Sequence, residues 1–501
     1  MTTKITPKNL RKVKKGIFRN SCVYRKDFCE YPILLDEKMT KKARRAKCLY
    51  KKILKKINHT AHNIINPLWN FPDKLFQHHN KNKLVFKHFN KIDGQEILLY
   101  VHFPFCSAMC TFCNVPNLIP PTKKSMMQYV YYLKKELYLY LKNSNIKEKT
   151  IKAVYFGGGT PALIPLEKLI SFINYLQKNL KFDKNVDFTV EVHPKIINSS
   201  LGKKILTELQ KTKVNRISMG IQCFNDCVLK INHRCHTSKE AIKAYKTLRR
   251  FNFILNIDMM FGLPGQTYKH IEKDLKILAK LKPDAIEYFR LEHVNPKINL
   301  LQKANESLFP NDETLWKMNS LVYQWLLKNN YEQNGTIKEQ NKNYKYRYFC
   351  LKEIPYIAIG KGAVAHFGSL HTASFSKLNS YYNFINGGKL PIHLYCQLSK
   401  KEEAIRSFYL AIQLYKGISK ADFKKNHNIS LNNYFRPFIK NFKKLNLLEE
   451  NQSYIKLTPL GSFFVSDICY SLIQYAEKKL LGKPTNKIKI GVKKLTQVIS
   501  S

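Results

Sequence analysis

The sequence predicts an α/β protein, a partial (β/α)6 barrel followed by a smaller winged-helix-like α+β domain. Two observations carry that expectation. Between residues 98 and 291, six short apolar runs alternate with amphipathic, lysine-bearing stretches of helical period, the order that specifies a parallel sheet with right-handed crossovers. Beyond residue 292 the alternation stops, and Lys400 to Tyr475 reads as three helices and a short hairpin, Leu447 to Leu460.

In chain order, residues 1–94 form a basic N-terminal extension, helical in pattern around Lys41 to Ile57 and then rich in His59, His62, Trp69, His78, His79 and His88. These histidines follow no tight ligand spacing and read as surface or core residues. Strands are expected at 98–103, 153–157, 187–193, 215–221, 254–261 and 285–291, with helices near 125–142, 166–180, 199–211, 238–251 and 268–281. This core with its accessory segment spans 95–370, and the C-terminal domain with a tail spans 371–501. Chemistry in such barrels lies at the carboxyl ends of the strands.

The first strand runs into Pro104 and then into Cys106, Cys110 and Cys113, spaced C-x3-C-x2-C. Three thiolates on one short loop suit a [4Fe–4S] cluster with one iron left open to a chelating small molecule. A zinc site would need a fourth ligand at close spacing, and Asn114-Val115-Pro116 supplies none. Further motifs end the later strands: Gly157-Gly158-Gly159-Thr160-Pro161, Glu191-Val192-His193-Pro194, Arg216 to Gln222 with Asn232-His233-Arg234, and Asn256 to Thr267 containing Asp258. A glycine triplet lets backbone groups approach a ligand closely. Cys223, Cys227 and Cys235 read either as a second cluster or as small packing residues, with Cys223 and Cys227 one helical turn apart.

Composition bounds the partners. Lys and Arg number 86 against 35 Asp and Glu, a net charge of +51. Such a balance fits nucleic acid, an anionic surface or an acidic small molecule. The lysines are spread along the helices instead of forming one patch, so charge by itself selects none of these. No apolar run of about 18 residues predicts a transmembrane helix. Twelve cysteines in 501 residues show no dense disulfide framework, which points to a reducing compartment, the cytoplasm. The first 26 residues lack an acid and also lack the apolar core of a secretory signal.

The stretch Tyr100 to Cys113, YVHFPFCSAMCTFC, resembles the radical S-adenosylmethionine (SAM) superfamily and, within it, the oxygen-independent coproporphyrinogen III oxidase (HemN-like) family. The resemblance covers roughly residues 98 to 475, including Ile357 to His366, similar to a G-x-G-A pocket element. It implies a radical SAM barrel in which Cys106, Cys110 and Cys113 hold the [4Fe–4S] cluster. Tyr100, Phe112, Gly158, Gly159, Thr160, Glu191, Gln222, Arg234 and Asp258 match positions that contact SAM, and one SAM or two are implied. No catalytic residue is assigned beyond these. The implied activity is reductive cleavage of SAM to a 5′-deoxyadenosyl radical that drives oxidative decarboxylation of coproporphyrinogen III, with flavodoxin or ferredoxin as reductant. Two departures stand out: His233 replaces the usual Asn or Gly before the arginine, and Val115 stands where the oxidases commonly carry a further cysteine. A haem chaperone of the same family, a haem-cleaving relative and a radical SAM methyltransferase therefore remain as alternatives. Nucleic-acid modification ranks last, since no RNA-binding module is legible.

Overall fold

The computed structural model describes residues 82–476, apart from 93–94, 114, 116–117, 119–120, 292–295, 335–336, 340–344, 459–460 and 463. The extension up to residue 81, with its helical pattern and four of its histidines, lies outside the described residues, as does the tail beyond 476.

Six parallel strands form in sequence order: β1 (Glu96–Phe103), β2 (Thr150–Gly158), β3 (Lys181–Val192), β4 (Arg216–Gln222), β5 (Ile254–Phe261) and β6 (Ala285–Arg290). Helices Lys123–Asn143, Leu166–Asn179, Gly202–Gln210, Ser238–Leu248 and Tyr268–Leu281 connect them. Local chemistry sets several helix starts. Thr122 and Thr237 each accept the backbone N–H three residues on, and Ser125 and Glu240 return the bond to the cap backbone.

The alternation of each strand divides its side chains between two environments. Leu99, Val101, Phe156, Phe188, Val190, Ile217, Met219, Ile257 and Met259 are buried under the helices in one core. Their neighbours Tyr100, Tyr155, Glu191, Gly220, Asp258 and Glu287 face the other way and are only half-buried, because they border an open interior.

The sheet continues past the point where the sequence pattern fades. Strands β7 (Glu332–Asn334), β8 (Ile337–Glu339), β9 (Tyr356–Ile359), β10 (Val364–Phe367), β11 (Leu370–Ser374) and β12 (Ile392–Gln397) complete a twelve-stranded sheet. Its order is β12-β11-β10-β9-β1-β2-β3-β4-β5-β6-β8-β7, with β9 parallel to β1. These strands are short; β9, β10 and β11 follow one another directly, while helices Lys345–Leu351 and Leu378–Asn386 stand before β9 and β12, so no regular β/α period is left to detect. Helix Asn82–Asn90 buries Val85 and Phe89 in the same core as the barrel helices, and its His88 donates to the Leu84 carbonyl.

In the C-terminal region helices Lys400–Ala411, Lys420–His427, Leu431–Lys444 and Val465–Tyr475 surround an antiparallel sheet of β13 (Ile418–Ser419), β15 (Tyr454–Leu457) and β14 (Leu448–Glu450). Among the described residues at least four helices thus stand where three were expected. The helix that starts at Val465 buries Ile468, Cys469 and Leu472.

Candidate functional site

Phe103 ends β1, and Pro104 cannot donate to a sheet, so the chain leaves the ladder there. The loop that follows is pinned at three points. Its base closes through Leu118 N–H to the Pro104 carbonyl at 2.6 Å. Gly159 and Thr160 donate their backbone N–H groups to Phe103 and Phe105 at 2.7 Å each, and Thr111 N–H reaches Asn232 at 3.2 Å. Cys106, Cys110 and Cys113 on this loop are half-buried. Burial pushes Cys106 up to about 12, only partly offset by Thr160, whose hydroxyl is 3.7 Å from its sulfur; the nearby Cys113 and Cys110 push it further. Burial raises Cys113 as well.

Arg234 reaches the loop from β4's side. Its Nη1 donates to Cys110 Sγ at 3.3 Å and its Nη2 to the Gly220 carbonyl, while Nε is buried without a partner. Helix Asp226–Ile231 turns the chain for this contact. Arg234 N–H bonds the Leu229 carbonyl, and His233 sits in the left-handed region at φ 54°. That conformation explains why Asn or Gly is the usual residue there and why histidine is tolerated. Gln222 also has a positive φ, 74°, just after an irregularity in the β4–β5 register between Gly220 and Gln222.

Three carboxylates line the interior. Glu191 accepts from the Tyr155 hydroxyl at 2.7 Å, and burial, with Asp258 nearby, pushes it up to about 8. Asp258 accepts from Ser218 at 3.0 Å and Asn256 at 2.6 Å, but burial still raises it. Glu287, its register neighbour on β6, is pushed well up by burial, then by Asp258. Uncompensated carboxylates in an enclosed interior favour a cation or a hydroxyl-rich ligand. Beside them the glycine loop leaves room. A Cβ on Gly157 would come within 2.6 Å of the Tyr155 ring and 3.0 Å of Glu191 Oε1, and Gly158 has φ 105°.

The structure therefore brings together Cys106, Cys110, Cys113, Gly158, Gly159, Thr160, Glu191, Arg234 and Asp258 at neighbouring strand ends, with Gln222 beside Gly220. Tyr100 lies deeper, its hydroxyl 3.1 Å from His102 Nδ1 and its ring stacked on Tyr155. Phe112 packs on the apolar group of Cys223, Val228, Leu229, Met260 and Leu263.

The second cysteine group separates. Cys223 is buried in the loop before the helix, and Cys227 is exposed on it, so the expected pairing on one helical face is corrected: the helix begins only at Asp226. Cys235 instead lies 3.7 Å from His193 Nε2 and 4.0 Å from Ser107. Among the described residues no three His, Cys, Asp or Glu side chains converge on one metal ion, and the thiolates of a cube, each on its own iron, need not do so. The sequence reading missed Tyr155, Ser218, Asn256 and Glu287. The signal for Glu287 was present as an acid inside the apolar run Ala285 to Phe289.

Residues 100–278 match the Radical SAM superfamily, and residues 398–464 match the HemN C-terminal domain. The chain thus carries a Radical SAM domain and a HemN C-terminal domain. It is 27% identical over 382 residues to the heme chaperone HemW of Buchnera aphidicola, covering 74% of this chain and 97% of that one. It is 24% identical over 411 residues to the oxygen-independent coproporphyrinogen III oxidase of Helicobacter pylori, covering 78% and 88%. The fold matches that of coproporphyrinogen III oxidase (HemN) from Escherichia coli with a TM-score of 0.70 at 19% identity, over 83% of this chain and 99% of that one.

Radical SAM proteins use a [4Fe–4S] cluster and SAM, and the residues present fit both. Three cysteines share one pinned loop, Arg234 puts a guanidinium on one sulfur, and an open, acid-lined cradle adjoins them. Among the described residues no helix is long and apolar enough to cross a membrane.

Proposed function

We propose that this radical SAM protein oxidatively decarboxylates a coproporphyrinogen-like tetrapyrrole in a reducing, cytoplasmic setting, drawing electrons from a flavodoxin or ferredoxin. The observation that carries the reading is the meeting of the cysteine loop and the acid-lined cradle at one rim of the barrel. A ladder of rings runs inward from it: Tyr100 stacks on Tyr155 at 6.2 Å, and Tyr155 meets Tyr346 at 5.1 Å. Flat apolar faces of this kind suit a tetrapyrrole. Among the described residues no two cysteines are joined in a disulfide, in keeping with a reducing compartment.

Cys106, Cys110 and Cys113 would hold the cluster, and Tyr100, Phe112, Gly158, Gly159, Thr160, Glu191, Gln222, Arg234 and Asp258 would surround one SAM or two. Cluster and SAM together supply one-electron reductive cleavage and hence a strong hydrogen-atom abstractor. The chain's own groups prepare that chemistry. Arg234 offsets thiolate charge and ties the loop to Gly220. Ser218 and Asn256 fix the Asp258 carboxylate, and Tyr155 fixes that of Glu191, so each presents one oxygen edge to a bound ammonium or ribose.

The test is anaerobic: reconstitute the cluster, reduce it with SAM present, add coproporphyrinogen III, and analyse products by mass spectrometry. Methionine, 5′-deoxyadenosine and a tetrapyrrole lacking two carboxyl groups are expected. Unchanged coproporphyrinogen with SAM intact would overturn the decarboxylase. One observation favours a second reading, haem chaperone: Val115 occupies the position where the oxidases commonly carry a further cysteine. That reading predicts stoichiometric haem binding with little 5′-deoxyadenosine.

A further inference from the structure

Helix Lys345–Leu351 closes the amino-terminal end of the barrel. Its first residue donates its backbone N–H to Asp187 Oδ2 at 2.8 Å and its Nζ to the Asn185 carbonyl at 2.9 Å, both on β3. Cys350 packs with Leu98 and Ala153, inward positions of β1 and β2. Between these anchors Tyr346 meets Tyr155, and Arg347 projects between the interior and the C-terminal region, where its Nη2 donates to Gln413 Oε1 at a long 3.4 Å.

The interior's other arginines are committed. Arg216 is 1% exposed and paired with Asp187 at 3.4 Å, and Arg234 holds Cys110 and Gly220. Arg347 is half-buried, its Nη2 donates to a neutral amide, and its Nε is enclosed without a hydrogen-bond partner. A guanidinium carries five donors in a planar fork and favours a carboxylate bound on two of them. Glu287 is close enough to feel its charge, and burial, then Asp258, raises that carboxyl well above its ordinary range.

We infer that Arg347 is the substrate-recognition residue of the barrel floor, taking one carboxylate arm of the substrate on its Nε and Nη donors in place of the Gln413 contact. The inference rests on the tetrapyrrole reading above and deepens it: the ligand must carry a free carboxylate on a flexible arm, and the rings of Tyr155 and Tyr346 flank its path.

The experiment measures equilibrium binding of coproporphyrin III and of its tetramethyl ester to the full reconstituted chain by fluorescence quenching, with iron content and melting temperature as checks on folding. Loss of a charge-assisted hydrogen-bonded contact in R347Q is expected to weaken the acid about 10- to 100-fold and to leave the ester unchanged. R347K should fall between, since an ammonium offers a point charge without the fork. Q413A, which frees the fork, should bind the acid at least as well as the parent chain. Equal weakening of acid and ester in R347Q, or no weakening of either, would overturn the role of Arg347 while leaving the tetrapyrrole reading intact. Failure of the parent chain to bind either porphyrin would overturn both.

Discussion

Glu191 and Glu450 are the same residue type on two faces of one chain, and their surroundings drive them in opposite directions. Glu191, at the end of β3, receives a hydroxyl bond and a backbone bond, yet burial beside Asp258 pushes it up to about 8. Glu450, on the hairpin of the C-terminal region, pays a desolvation cost too, but Lys420, Lys443 and Asn432 all donate to it and hold it at about 2. The same division runs through both regions. The C-terminal core is closed with Phe408, Phe423, Phe435 and Phe438, and the charges of Glu450 are paired. The barrel interior keeps charges short of partners. A region that only needs to fold satisfies its polar groups, while a region that must bind leaves them poised for a ligand.

The contrast breaks most completely at the cysteine loop. Ala at Cys106, Cys110 or Cys113 should drop iron from about four per chain toward zero and abolish SAM cleavage, while melting of the C-terminal region is retained. Retention of full iron in any of the three variants, counted colorimetrically, would remove that residue from the cluster.

Next in size is Gly158→Ala. The residue sits at φ 105°, and a Cβ there would come 2.4 Å from the His102 ring. We expect a loss of about 1–3 kcal/mol from the strained backbone, read by urea unfolding, together with weaker SAM binding. The corresponding Gly388→Ala, with nothing within 4 Å of its Cβ but φ also positive at 69°, should cost less and leave SAM binding alone.

Glu191→Gln sharpens the contrast through pH. In the folded chain the Glu191 pKa is raised, so between its ordinary 4.5 and about 8 the folded state keeps a proton that the unfolded state has lost. Stability therefore falls as pH rises through that window. The amide imitates the protonated acid, so the variant should lose this slope, gaining on the parent chain at pH 8 relative to pH 5, while binding SAM more weakly. An unchanged slope in paired unfolding curves would show that Glu191 is not the titrating group.

The smallest effect is expected at Glu450→Gln. Its depressed pKa contributes stability above the ordinary 4.5 that is lost as pH falls toward about 2. Because Glu450 is only half-buried and its partner Lys443 is exposed to solvent, the loss at neutral pH should stay under about 1 kcal/mol, with iron content and SAM affinity untouched.

Much of this organisation was legible beforehand. The six strands were readable because each is an apolar run ending in a turn residue, and burial under helices selects that composition. The cluster cysteines were readable because their spacing is local. His233 looked like a departure from pattern, and its left-handed φ shows that the position demands a conformation more than an identity. Four groups escaped: Glu287 and Tyr155 looked like ordinary strand residues, Ser218 and Asn256 like ordinary polar ones. Their roles arise from strands far apart in sequence, such as Asn256 reaching Ser218 at 2.8 Å.

By itself the sequence determined the elements, their order and the thiol loop, because hydrophobic periodicity and short-range spacing are properties of neighbouring residues. Only the tertiary structure decided that β9 to β12 extend the sheet beside β1, that Cys223, Cys227 and Cys235 part company, and that Arg347 reaches the barrel floor. Those outcomes depend on which side chains lose water together. That is settled when distant segments pack, and no local pattern records it.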